Sequence, residues 1–215
     1  MALNSLNLNH YQGLIFDMDG TLVDSEVAVR QAVAPWCEKH HVDLEMVLTT
    51  GRGARFKDFI EQFTPHLDCQ HEVELLEQAE ADLAHTVTAI PGAKSFLSEI
   101  KAQQRKWAVA TSANRHNAIA RLTTAGLPIP EILITADDVG QGKPHPEPFL
   151  LAAKRLGVAT SKCLAFEDSD QGVRSALSSG CDVVVVNRFC TIHHDHIVAR
   201  INHYQDIYLS EEVSE

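Results

Sequence analysis

Four short stretches carry residue types that could do chemistry together. "GLIFDMDGT", residues 13 to 21, sets Asp17 and Asp19 one methionine apart at the end of an apolar run. "VATS" ends on Thr111 and Ser112, "GKPHPEPF" contains Lys143, and "FEDSDQG" contains Glu167 and Asp168. Carboxylate oxygens together with water suit Mg²⁺, a hard cation that works beside phosphates. Hydroxyls and an ammonium can hold phosphate oxygens. Taken alone, Asp17 and Asp19 could equally form a metal site, an Asp-Gly turn or a dyad sharing one proton.

The surrounding pattern places these residues at strand ends. From about residue 90 onward, short β-branched runs alternate with longer helical stretches, the signature of a parallel α/β sheet. The expected strands are "GLIFD", "WAVATS", "EILITA", "KCLAFED" and "DVVVV". Between them "GAKSFLSEIKAQQ", "NRHNAIARLTTAG", "PEPFLLAAKRLGV" and "DQGVRSALSSG" have apolar residues at helical spacing. A doubly wound, Rossmann-like parallel sheet is the economical topology, and such sheets bind ligands outside the carboxyl ends of their strands. Residues 25–88 differ: "SEVAVRQAVAPWCEKHH", "ARFKDFIEQF" and "EVELLEQAEADLAHTV" read as helices with no strand among them. They form an expected helical insert, with residues 1–24 and 89–215 making the α/β core. Pro35 should kink or break the first of these helices.

Composition narrows the classes. The chain has 215 residues, 29 acids against 18 bases and a net charge of −11, which repels nucleic acid and anionic membranes. No stretch approaches a membrane span. The N-terminus "MALNSLNLNHYQ" has neither a basic start nor an apolar block, so a cytoplasmic location is expected. Five scattered cysteines without a C-x-x-C pair argue against a disulfide framework or zinc knuckle, and Cys163 and Cys181 read as small core residues.

"DMDGT", "VATS", "GKPHPEPF" and "FEDSDQG", in that order, resemble the haloacid dehalogenase superfamily, specifically its phosphatases and phosphomutases with a helical cap after the first strand. Bacterial sugar phosphatases are the nearest likeness. The resemblance implies that Asp17 is the nucleophile, forming an aspartyl-phosphate, and that Asp19 is the general acid and base. It implies that Thr111 binds the transferring phosphoryl group and that Lys143 neutralises charge on it and on Asp17. Asp168, Asp17 and the backbone carbonyl of Asp19 would hold Mg²⁺, with Glu167 a direct or indirect partner. A second acid at Asp19 argues against carbon–halogen cleavage. The competing activity is a phosphosugar mutase of the β-phosphoglucomutase kind; similar mutases place a histidine about twelve residues after the nucleophile, and Val29 stands there. A catalytically silent phosphosugar-binding protein is a third reading. The implied partner is a small phosphorylated metabolite, and a site closed by its own cap needs no second subunit, so a monomer suffices.

Other polar groups have two readings each. Ser112 is a further candidate for the substrate. Arg52 could reach a second anionic or hydroxylated part of the substrate, or be a surface residue or cap salt bridge. Asn114 could hydrogen-bond the phosphate or sugar, or N-cap the following helix, and Ser169 or Asp170 could cap the helix after "FEDSDQG". "GKP" is not a P-loop, because Pro144 stands where Ser or Thr is required. "GRGARF" lacks the third glycine of a dinucleotide fingerprint. "HHDH", His193 to His196, has zinc-ligand residue types but no spaced partners, and a solvated helix is expected there.

Overall fold

Alternation along the apolar runs decides the architecture. In the computed structural model, which describes residues 4–187 and 189–209, six strands form the central sheet: β1 (Gly13–Phe16), β2 (Trp107–Ala110), β3 (Leu133–Ile134), β4 (Cys163–Glu167), β5 (Asp182–Val186) and β6 (Ile197–Ile201). The outermost parts of the expected core range, 1–24 and 89–215, lie outside the described residues. Strand order is β3-β2-β1-β4-β5-β6, and every adjacent pair is parallel. This is the doubly wound Rossmann-like order, with its switch between β1 and β4.

Each central strand is buried on both faces, and its residues divide between two cores. Leu14, Phe16, Leu164, Phe166 and Val184 pack with α5 (Ala93–Ala102) and α6 (Arg115–Thr124) through Phe96, Ile100 and Leu122. Ile15, Ala165, Val183 and Val185 pack with α7 (Glu147–Leu156) and α8 (Asp170–Ser179) through Phe149, Ala152 and Val173. Phe16 and Phe166, neighbours across β1 and β4, stack with ring centroids 4.5 Å apart. Removing either ring would cost about 3–5 kcal/mol. That packing fixes the strand ends that carry Asp17 and Asp168.

Between Val23–Asp24 and Thr88–Ala89, which pair as a short antiparallel ribbon, the chain is helical. It contains α1 (Glu26–His40), α2 (Leu44–Thr50), α3 (Phe56–Phe63) and α4 (Cys69–Asp82). These helices bury an apolar cluster of their own, including Val33, Trp36, Phe59, Ile60 and Leu76. Three details correct the sequence reading. Helix α1 runs unbroken through Pro35, which stands with Gln31 on its exposed side, while Val33, Trp36 and Cys37 hold the buried side. Helix α2, seven residues long, carries too little periodicity to be read from sequence, and Asp43 starts it by accepting from the Met46 amide at 2.7 Å. The expected solvated helix at His193 to His196 is instead irregular chain and a turn leading into β6, a strand not expected from the sequence, which lies at the sheet edge and exposes Val198 and Arg200. Cys163 and Cys181 are buried in the core as expected.

Candidate active site

Strand β1 stops at Phe16, and the next residue, Asp17, leaves the sheet at its carboxyl edge; β4 likewise ends at Glu167 and delivers Asp168 beside it. Backbone geometry makes room for both. Gly20 has φ +81°, and a Cβ there would sit 2.2 Å from Asp168 Oδ2, so the "DGT" turn requires glycine. Gly172 in α8 is equally constrained, since its Cβ would fall 1.8 Å from Glu167 Oε1.

Lys143 enters from the turn after β3 and lies beneath these carboxylates, 1% exposed. Its Nζ donates to Asp17 Oδ1 and to Glu167 Oε1, both at 2.6 Å. The other oxygen of Glu167, Oε2, accepts from the Asp168 and Ser169 amides at 3.0 and 3.3 Å. Both Glu167 oxygens are therefore engaged within the protein. Asp168 Oδ2, by contrast, is buried without a hydrogen-bond partner, its closest cation being Arg52 Nη1 at 3.7 Å.

The charge balance points to a cation. Asp17, Glu167 and Asp168 can each present an oxygen so that all lie within 4.8 Å of one another. One ammonium faces three buried carboxylates. Burial pushes the Asp17 carboxyl up to about 7 against the pull of Lys143, and Glu167 pushes it further. Burial, with Asp17 and Glu167 nearby, also drives the Asp168 carboxyl well above its usual range. A divalent cation on the open oxygens of Asp17 and Asp168 would remove that penalty. Oxygen-only donors suit Mg²⁺.

A cavity of about 610 Å³ opens above this cluster, between the sheet edge and the helical segment. Asp17, Asp19, Thr111, Ser112, Asn114 and Arg52 all line it, so every expected substrate-side residue comes to one place. Their engagements differ. Thr111 Oγ1 accepts from the Ala113 amide at 3.1 Å. The Ser112 hydroxyl donates to Gly53 O of the helical segment at 2.7 Å, joining the two parts of the molecule. Asn114 does cap α6, accepting from the Asn117 amide at 2.8 Å, while still facing the cavity. Ser169 caps α8 through the Gly172 amide. Arg52 is more than a cap salt bridge: besides Glu26 at 3.9 Å, it reaches Asp168 in the core and stacks 3.9 Å above the Phe189 ring. Val29 also lines the cavity.

Asp19 lies apart from the carboxylate cluster. Its Oδ2 takes Arg121 Nη1 at 2.7 Å, and its Oδ1 is buried without a hydrogen-bond partner. Arg121 Nη2 in turn lies 2.6 Å from Glu80 Oε2 on α4, an ion-pair contact angled away from hydrogen-bond geometry. The two carboxylates hold the Arg121 guanidinium above its ordinary value despite burial, and burial pushes the Glu80 carboxyl up to about 7. Sequence reasoning missed Arg121 and Glu80. The available signal was an arginine on the same buried face of α6 as Asn117, Ala118 and Leu122. A charge in such a stripe needs a buried partner.

Comparison with known proteins follows the same residues. Residues 14–186 match the haloacid dehalogenase-like hydrolase family. Hexitol phosphatase A of Escherichia coli K12 is 40% identical over 179 residues, covering 82% of this chain and 83% of that protein. Glycerol-1-phosphate phosphohydrolase 2 of Saccharomyces cerevisiae is 35% identical, covering 79% of this chain and 72% of that one. The crystal structure of a hydrolase from Pseudomonas syringae superposes with a TM-score of 0.80 at 26% identity, covering 91% and 95% of the two chains. With the strand-end carboxylates, the buried lysine and the inserted helices all within the matched region, the chain belongs to the haloacid dehalogenase-like hydrolase family.

Proposed function

We propose that this protein is a phosphoric monoester hydrolase acting on small sugar or polyol phosphates, with Mg²⁺ as its cofactor and Asp17 as its nucleophile. The observation that carries the reading is Asp17 itself, at the floor of the cavity with one oxygen fixed by Lys143. The names of the relatives, a hexitol phosphatase and a glycerol-1-phosphate phosphohydrolase, support the substrate class.

In this reading residues 25–88 act as a cap over a core made of 1–24 and 89–215, and the paired segments at Val23–Asp24 and Thr88–Ala89 are its stem. Asp17 attacks phosphorus in line and takes the phosphoryl group, dividing the hydrolysis into two easier steps. Lys143 holds the attacking carboxylate in place and offsets the charge that gathers on the equatorial phosphate oxygens. Thr111 offers its hydroxyl to one of those oxygens. Asp19 protonates the leaving alcohol oxygen and then takes a proton from the attacking water; with Oδ2 turned to a guanidinium that only donates, the proton belongs on Oδ1. Asp17 and Asp168, with the Asp19 carbonyl, would hold Mg²⁺, which when bound offsets repulsion between the anionic phosphate and its nucleophile. Glu167 acts indirectly, by orienting Lys143 and the turn that presents Asp168. Val29, where similar mutases carry a histidine, favours hydrolysis over isomer conversion.

Incubation with a panel of sugar and polyol monophosphates and Mg²⁺ tests the proposal. Release of inorganic phosphate, lost on thorough chelation and restored by Mg²⁺, is the expected result. Isomer conversion without phosphate release would make the protein a mutase, and binding without turnover would make it a phosphosugar-binding protein. Turnover that survives chelation would remove the metal from the account.

A further inference from the structure

Helices α4 and α6 meet through polar contacts. Asn117 and Arg121 lie four residues apart on α6, Glu77 and Glu80 three apart on α4, so each pair shares one helix face. Asn117 Nδ2 donates to the Glu77 carbonyl at 3.0 Å, and the Arg121 guanidinium lies between Glu80 and Asp19. Arg121 and Glu80 are 2% and 5% exposed. Such a buried guanidinium is tolerated only while its anions stay in place, because removing one partner of a buried ion pair leaves an uncompensated charge. The arrangement also has a direction. Glu80 belongs to the inserted helices, Asp19 to the turn after β1, and Arg121 forms an ion pair with both.

We propose that Arg121 is a positioning residue that fixes the Asp19 carboxylate by its Oδ2, and that Glu80, by holding the other side of the guanidinium, makes this placement depend on α4 being seated on α6. This rests on the phosphatase reading, in which Asp19 serves the leaving group. Arg121 suits the task because its planar fork can address two carboxylates at once, which the compact ammonium of lysine does less well. When the inserted helices are seated, Asp19 is held with Oδ1 left for the leaving oxygen. When α4 withdraws, Glu80 leaves with it and the hold on Asp19 slackens. Proton transfer is thereby tied to closure over the substrate.

The leaving group separates this role from a structural one. Glycerol 1-phosphate expels an alkoxide that must be protonated, whereas p-nitrophenyl phosphate expels a stable phenolate that need not be. Because kcat/KM reports the steps up to formation of the aspartyl-phosphate, comparing it for the two substrates isolates the acid role of Asp19. Arg121→Met is expected to lower kcat/KM for glycerol 1-phosphate by about 10- to 100-fold while changing that for p-nitrophenyl phosphate by no more than about threefold. Arg121→Lys should recover part of the selective loss, and Glu80→Gln, nearly isosteric, should show the same selectivity to a smaller degree. Equal losses on both substrates in the well-folded Glu80→Gln and Arg121→Lys variants would overturn the proposal, as would no loss on either. If the unmodified protein releases phosphate from neither compound, the phosphatase reading itself fails, a result distinguishable from a phosphatase whose variants lose no selectivity.

Discussion

The sheet side and the helical side of the cavity are built differently. On the sheet side, Asp17, Lys143, Glu167 and Asp168 are all less than 10% exposed and are held by one another and by strand ends buried on both faces. On the helical side, Arg52 sits on a loop between α2 and α3 with its side chain 26% exposed, and its ionic partners stand 3.7 and 3.9 Å away. Glu80 on that side is a buried charge, and it lies against the core residue Arg121. Rigidly held charge suits a reaction centre that must not reorganise. Looser, longer contacts suit a surface that meets different substrates.

The sharpest break of this contrast is at Asp17. Asp17→Asn removes the proposed nucleophile, and phosphate release should fall by at least about 10⁴-fold. The fold should survive, because the substitution takes away a buried carboxylate whose ionisation burial already disfavours, so the thermal midpoint should hold or rise. Turnover within tenfold of the unmodified protein would show that another group attacks phosphorus.

Lys143→Met tests the same side through stability. Removing the ammonium leaves Asp17 and Glu167 facing each other without compensation, and breaking a buried pair in this way costs about 3–5 kcal/mol. Denaturant unfolding reads the loss, and activity should fall by about 10²- to 10³-fold. An unfolding midpoint unchanged in this variant would mean that the cluster is not held by Lys143.

These two sides also differ in how far the sequence reveals them. Asp17 and Asp168 follow continuous apolar runs directly and Lys143 lies in the turn after another, so those runs and the rule that ligands gather at strand ends find them without any long-range knowledge. Strands β1, β2, β4 and β5 were legible for the same reason, as continuous apolar segments, whereas β6 was not, because Arg200 interrupts its short run and Val198 and Arg200 are exposed at the sheet edge. Glu80 and Arg121 were invisible because they are 41 residues apart on separate helices, and no local pattern records which helix packs on which. Asn114 was ambiguous for a physical reason: a side chain at a helix N-terminus can cap and face a cavity at once. Pro35 misled because a helix held by its buried side can carry a proline on its exposed side.

A smaller effect separates Glu80 from the exposed acids of the same helix. Its carboxyl stands near 7 in the folded chain against an ordinary value of 4.5, burial outweighing the pull of Arg121. Between those values the folded state binds more protons than the unfolded one, so stability is fully present below about pH 4.5 and declines as pH rises through 7. Glu80→Gln removes that titration. Thermal midpoints measured from pH 5 to pH 8 should therefore fall more steeply for the unmodified protein than for Glu80→Gln, by the equivalent of about 2 kcal/mol. Parallel slopes would place the Glu80 carboxyl in the ordinary range.

Arg52 should show the smallest change and the one most specific to the helical side. Its contacts to Asp168 and Glu26 are longer than a hydrogen bond, and water screens a side chain this exposed, so neither ion pair contributes much to stability. What Arg52→Ala removes is a cation poised over Phe189 at the cavity wall. If the helical side reads the substrate, kcat/KM should shift by about tenfold or less, mostly through KM, and unequally across a panel of sugar and polyol monophosphates. A uniform fall in kcat with KM and ranking unchanged would reassign Arg52 to the sheet side, as a brace for Asp168. The division of labour between the two walls would then run through Arg52 rather than beside it.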